Sequence, residues 1–234
     1  MQIYGKNVCK EKLKAKDRIN KIYLSTNFKD KEILNLIHNQ KTKIQYLPIK
    51  TMDKMIEGLH QGIIMEVDDV ITYPLEIIDT IKEENPLIVM LDHLEDPHNF
   101  GAIIRTCEAL GVSAIIIPND RSVNINATVV KTSAGAINNI KIIRVPNLSV
   151  AINKLKSKNY WIVGTTMDGS DYTTIDYNMK TCLIIGNEGK GMSDTIKKNC
   201  DYIVTIPMIG KINSLNASVS CAILVAHIQN NKNN

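Results

Sequence analysis

The chain has no apolar run near the roughly 18 residues that a bilayer-crossing helix needs. Met1 opens on a mixed polar start, without the charged-then-apolar pattern of a signal peptide, so a cytoplasmic protein and no membrane partner are expected. No C-x-x-C spacing occurs. The five cysteines (Cys9, Cys107, Cys182, Cys200 and Cys221) are odd in number and far apart. Reduced thiols packed in the core are expected, and no metal site. Neither G-x-x-x-x-G-K-[ST] nor G-x-G-x-x-G is present, so the NTPase and dinucleotide fingerprints are both unmet. Internal repeats and low-complexity segments are absent too.

What remains is ordinary globular material. At 234 residues, 44% hydrophobic and 22% charged, the chain can form one large or two small soluble domains with a sizeable core. Charge is unevenly placed. Residues 1–70 hold 13 Lys+Arg against 9 Asp+Glu, so the whole net charge of +4 lies there, much of it from Lys6 to Lys21. Such a cluster favours a polyanion such as nucleic acid, although a solvated lysine-rich surface has the same composition.

In chain order, the pattern predicts a helix over 6–15, a strand over 19–24 and an amphipathic helix over 29–40. A strand over 43–47, a short helix over 51–57 and a strand over 62–67 complete a unit of about 70 residues. Residues 71–86 read as a linker with an amphipathic insert, Leu75 to Ile81. Leu87–Leu91 is then a near-continuous apolar run of the kind that fills a central parallel strand. Helices and short apolar strands alternate from there to a long final helix over 216–229, with Gly111 stopping the helix over 101–110. The expected fold class is α/β with a mostly parallel sheet over 87–234, preceded by a small α/β domain over 1–70.

The stretch from Cys182 to Ser220 organises the second half. It holds an apolar run, a glycine-rich loop (Gly186 to Gly191), a short helix, a second apolar run, and a loop leading to Ser214-Leu215-Asn216. Open α/β sheets place ligands at loops after strand carboxyl ends. Glu188 lies inside the glycine loop, and a carboxylate there repels phosphate; the ligand it suits is neutral or cationic. A plain strand-to-helix turn would use the same glycines.

Three segments carry a resemblance: LDHLEDPHNFGAIIRTCEALGVSAIIIP (91–118), LIIGNEGKGM (183–192) and IPMIGKINSLNASVSCAIL (206–224). They contain D-P-x-N-x-G-A-x-x-R, G-x-E-G-x-G and I-P-M-x-G-x-x-x-S-L-N-x-S, in that order. Together they resemble the motifs of the SpoU branch of the SPOUT RNA methyltransferases. Ile3-Tyr4-Gly5, His60-Gln61-Gly62, Asp120-Arg121-Ser122 and Asn126-Ala127-Thr128 extend the likeness to the bacterial 23S ribosomal RNA guanosine-2′-O-methyltransferases. Ala217, where valine is common, is the one small departure.

The resemblance implies a trefoil-knotted SPOUT domain over 87–234 that binds S-adenosyl-L-methionine and forms a homodimer, with an L30e-like RNA-binding domain over 1–70. It implies methyl transfer to a ribose 2′-hydroxyl of RNA, ribosomal RNA first. Alternatives are a transfer RNA ribose methyltransferase of the same branch and a non-catalytic RNA-binding or ribosome-assembly protein. It also implies roles for particular residues. Arg105, Asn99, Glu188, Ser214 and Asn216 would be catalytic; Gly164, Thr165, Ile185, Gly186, Ile206, Met208 and Leu215 would hold the cofactor. The bland readings are a helix-surface cation for Arg105 and an N-cap for Ser214 or Asn216.

Overall fold

The computed structural model describes residues 1–15, 18–38, 40–212 and 214–232. The chain forms two compact units, Met1–Val70 and Ile71–Asn234.

In the first unit the order is β1 (Gln2–Tyr4), α1 (Lys6–Lys14), β2 (Ile19–Ser25), α2 (Lys31–His38), β3 (Lys43–Leu47), α3 (Ile49–Met52) and β4 (Ile63–Val67). Its sheet runs β1-β4-β2-β3. β4 is antiparallel to both neighbours, while β2 and β3 are parallel. β2 is buried at every position from Ile22 to Ser25, and Leu13, Ile33 and Ile37 of the helices are buried as well. Tyr23, Met52 and Ile64 form a smaller cluster, with Leu47 packed at its border. β3 ends the sheet and stays largely exposed.

The second unit contains β5 (Leu87–Leu91), α4 (Pro97–Ala109), β6 (Ala114–Pro118), α5 (Ala127–Thr132), β7 (Lys141–Val145) and α6 (Leu148–Lys156). These are followed by β8 (Trp161–Asp171), β9 (Thr181–Ile185), α7 (Asp194–Lys197), β10 (Tyr202–Thr205) and α8 (Ala217–Lys232). The sheet runs β10-β8-β9-β5-β6-β7, and every neighbouring pair is parallel. β5, β6 and β9 are buried at every position, which is why their sequences are apolar runs without alternation. From β5 the chain steps outward through β6 to β7; β8 and β9 then occupy the other side of β5. The strand order therefore reverses at the β5/β9 pair. Among the described residues no helix is long and apolar enough to cross a membrane.

Several boundaries differ from the sequence pattern: the helix expected over 51–57 is α3 at Ile49–Met52, and two further differences bear on the second unit. α4 begins at Pro97, four residues before the expected start, because the Asp96 side chain caps it by accepting from the His98 amide at 2.9 Å. Asn99 thereby lies in a helix's first turn rather than in a loop. Residues 71–86, read as a linker, pack on the second unit. Tyr73 bridges to Ile143, and Ile78 of a 3-10 turn (Leu75–Thr80) is buried in that core. At the far end of α4, Gly111 has φ +71°, as the helix stop requires.

Cys9, Cys107, Cys182 and Cys221 are buried and Cys200 is half-buried, all as free thiols. Burial pushes the Cys9 thiol up to about 12 and the Cys200 thiol to about 11.

Candidate functional site

The glycine loop follows β9, beside the end of β5, at the point where strand order reverses. This is the crevice in which open α/β sheets hold ligands. The loop folds back on itself. Asn187 and Gly191 exchange backbone hydrogen bonds of 3.0 and 2.9 Å, and Asn187 Oδ1 accepts from the amides of Gly189 (2.9 Å) and Lys190 (3.2 Å). Gly191 turns the chain at φ +67°. A Cβ on Gly186 would lie 2.5 Å from the Gly191 carbonyl carbon and the Met192 nitrogen. Only glycine fits there.

The loop is tied to the end of β5 by two residues. Asn187 Nδ2 donates to the His93 carbonyl at 2.8 Å. Asp92, 1% exposed, accepts the Ser193 amide on one carboxylate oxygen (2.8 Å) and contacts His93 Nδ1 with the other at 2.5 Å. A buried carboxylate is tolerated because both oxygens are engaged. His93 takes φ +59°, a left-handed conformation uncommon outside glycine and asparagine, so the segment is locally strained. Asp92→Ala should leave the Ser193 amide unpartnered and free the loop. The expected result is a loss of about 2–3 kcal/mol, read as a melting temperature lower by roughly 5–10 °C. An unchanged melting temperature would remove Asp92 from the architecture of the loop.

A line of amides joins the three motif segments. Asn99 Nδ2 donates to Glu188 Oε1 at 2.8 Å, and Asn216 Nδ2 donates to Asn99 Oδ1 at 2.9 Å. Asn216 Oδ1 in turn caps α8, accepting from the Ser218 amide (2.9 Å) and hydroxyl (2.6 Å). Asn216 is thus both an N-cap and a partner of Asn99. The relay fixes the orientation of Glu188, an otherwise exposed side chain on a loop, from two helix starts.

Arg105 and Ser214 lie outside this relay. Arg105 is exposed on α4, six residues beyond Asn99, hence about 120° around the helix and about 9 Å along it. Its guanidinium bonds no described residue. Ser214 is exposed beside the α8 start. Of the remaining expected residues, Gly164, Ile184 and Ile203 share a row across β8, β9 and β10, so Thr165 and Ile185 emerge together at the carboxyl edge. Between Gly164, opposite Ile203, and Ser170, opposite Val204, β8 makes a wide excursion. Ile206 is half-buried just past β10, and Met208 and Leu215 are exposed in the loop before α8.

Asp92, His93 and Asn187 were not among the expected site residues. Asn187 had a local signal, asparagine opening a tight glycine turn. Asp92 had none, since Ser193 lies 101 residues away.

Comparison with known proteins follows the same two-unit division. The model of the SpoU rRNA methylase family matches residues 86–226. A model described as RNA 2′-O ribose methyltransferase substrate binding matches residues 2–72. The Bacillus subtilis protein YacO, assigned to the TrmH family of tRNA/rRNA methyltransferases, is 37% identical over 241 residues, covering 99% of this chain and 96% of that protein. The SpoU methyltransferase AviRb from Streptomyces viridochromogenes, solved in complex with AdoMet, superposes with a TM-score of 0.79 at 22% identity. That match covers 98% of this chain and 89% of that one. An AdoMet-bound rRNA methyltransferase from Sinorhizobium meliloti gives 0.72 at 23% identity over 98% and 86%. At such identities the two superpositions establish a shared α/β fold. Fold and matches together define an RNA methyltransferase. The chain belongs to the SpoU (TrmH) family.

Proposed function

We propose that the protein methylates a ribose 2′-hydroxyl of RNA, with a guanosine of 23S ribosomal RNA as the leading target, using S-adenosyl-L-methionine. The observation that carries this reading is the Glu188–Asn99–Asn216 relay, which holds residues of all three motif segments in one hydrogen-bonded line. The glycine loop fits such a cofactor on chemical grounds. Its carboxylate opposes phosphate, its strand-end backbone offers amides and carbonyls, and exposed Met208 and Leu215 suit an adenosine face. In this reading Gly164, Thr165, Ile185, Gly186, Ile206, Met208 and Leu215 line the cofactor site. When bound, the cofactor supplies a methyl group already activated on a sulfonium.

The acceptor then sets the difficulty, since a ribose hydroxyl is a poor nucleophile that must be aligned and relieved of its proton. Glu188, oriented by Asn99, would hold the acceptor side, with Ser214 and Asn216 at the neighbouring helix start. Arg105, exposed and without a bonding partner among the described residues, would grip the phosphate beside the acceptor ribose and stabilise the developing alkoxide. A planar, two-pronged guanidinium suits that clamp better than it suits the role of a base. Residues 1–70 would carry RNA and 87–234 the chemistry. The reading further includes a trefoil knot in the second unit, cytoplasmic location and a homodimer formed through that unit. Exposed Ile209, Ile212 and Val219 support an interface there.

The test is transfer of tritiated methyl from S-adenosylmethionine to protein-free ribosomal RNA and, separately, to transfer RNA. Alkali-resistant label in ribosomal RNA is the expected outcome. Label in transfer RNA alone would favour a transfer RNA enzyme of the same family. Absence of transfer to either, with RNA binding retained, would favour a ribosome-assembly role.

A further inference from the structure

The positive charge of the first unit is not free where the sequence concentrates it. Lys6 pairs with Asp30 at 3.3 Å, Lys10 and Lys14 converge on Glu32, and Arg18 faces Asp68 at 3.8 Å. Hydrogen bonding from Lys10 holds the Glu32 carboxyl below the usual range, as a genuine pairing should. Lys21 lies over the Tyr23 ring. The α1 side of this unit is therefore largely neutralised.

The opposite holds around β3. Lys41, Lys43, Lys50 and Lys54 have no ion-pair partner among the described residues. Asp53, the one acid between residues 41 and 56, is bonded to buried His60 at 2.9 Å. Among these lysines stand three exposed apolar side chains: Ile44 at 40%, Tyr46 at 58% and Ile49 at 50%. Among the described residues β3 pairs with β2 alone, so its outer edge is open, and one ligand can reach both faces of the strand. Lysine on an edge strand discourages self-pairing, but that purpose gives no reason to expose a tyrosine and an isoleucine between the lysines.

We infer that the β3 edge, with Tyr46 as stacking platform and Lys43 and Lys50 as phosphate contacts, is the RNA-binding surface of the first unit, preferring unpaired nucleotides. The inference rests on RNA being the substrate. Free cations interleaved with an exposed aromatic ring form the combination that holds single strands, the charge following the backbone and the ring taking a base. A second copy of the chain is the weaker occupant, because strand-to-strand pairing would bring these lysines against one another.

Full-length variants, titrated with protein-free ribosomal RNA and with a fluorescein-labelled 20-nucleotide oligouridine, test it. Tyr46→Ala should weaken binding about five- to hundredfold. Lys43→Ala with Lys50→Ala should lower the slope of log affinity against log salt by about one to two units. Lys10→Ala, which removes an already paired charge, should leave that slope near wild type, and all variants should keep S-adenosylmethionine affinity. Wild-type affinity and slope in the β3 variants, in a chain that still methylates RNA, would overturn the surface assignment alone. Failure of the wild-type chain to bind either RNA would overturn the activity with it. If Tyr46→Ala changed the sedimentation of the protein but not its RNA affinity, the edge would be a self-association surface and the inference would fall.

Discussion

Replacing Gly186 with alanine is expected to lower S-adenosylmethionine affinity about a hundredfold or more, and replacing it with valine should do little further harm. The first added carbon already does the damage. It would stand 2.5 Å from two backbone atoms and 2.9 Å from the Gly191 oxygen, none of which can swing aside as a side-chain tip can. To admit it, the Asn187–Gly191 bonds must open and the loop must lift away from the end of β9. A hundredfold in affinity corresponds to about 2.7 kcal/mol, within what a displaced, hydrogen-bonded loop should cost. Gly189→Ala supplies the contrast, because its Cβ would meet only Asn187 Oδ1, at an ordinary 3.6 Å. Calorimetric titration of the three variants separates the cases. Normal cofactor binding by Gly186→Ala would place the site elsewhere.

The second large effect concerns Arg105. Arg105→Ala should reduce methyl transfer by about a hundredfold or more while leaving cofactor affinity within about twofold. The side chain lies off the relay, exposed and unbonded among the described residues, so its loss disturbs no packing. On the proposed mechanism, the loss is of contact with RNA in the transition state. Arg105→Lys should be nearly as poor, since an ammonium cannot reproduce a planar two-pronged grip on phosphate. Single-turnover rates at saturating RNA are the decisive measurement. Near-wild-type rates in either variant would make Arg105 an ordinary helix residue and shift the chemistry to Glu188 and the Ser214–Asn216 turn.

Burial left a clear imprint on the sequence. The apolar runs at 87–91, 114–117 and 183–185 have no alternation because they lie inside a parallel sheet, and they were readable for that reason. Glycine was equally readable at Gly111 and Gly186, where backbone demands leave no other choice. Tertiary capture was less visible. Residues 71–86 read as a linker around an amphipathic insert, yet Ile78 of that insert is drawn into the second core. The start of α4 turned on a single Asp96 cap.

The relay was only half readable. Asn99, Glu188 and Asn216 could be nominated from motif positions, but their pairing spans 89 and 117 residues, beyond any local pattern. Counting placed much of the basic charge between Lys6 and Lys21, but it could not show that Lys6, Lys10, Lys14 and Arg18 pair with Asp30, Glu32 and Asp68.

The sealed thiols give each unit its own clock. Cysteine alkylation requires an accessible thiolate; burial denies both accessibility and ionisation to Cys9 in the first unit and Cys182 in the second, and at Cys107 the hydrogen bond with Cys221, together with burial, does the same. Labelling of the native protein at these positions can therefore proceed only through opening of the surrounding structure, at a pace set by the local opening equilibrium. Cys9 and Cys182, followed separately by mass, would time the opening of the first unit and of the second in one experiment. Adding cofactor would slow the second clock and leave the first running.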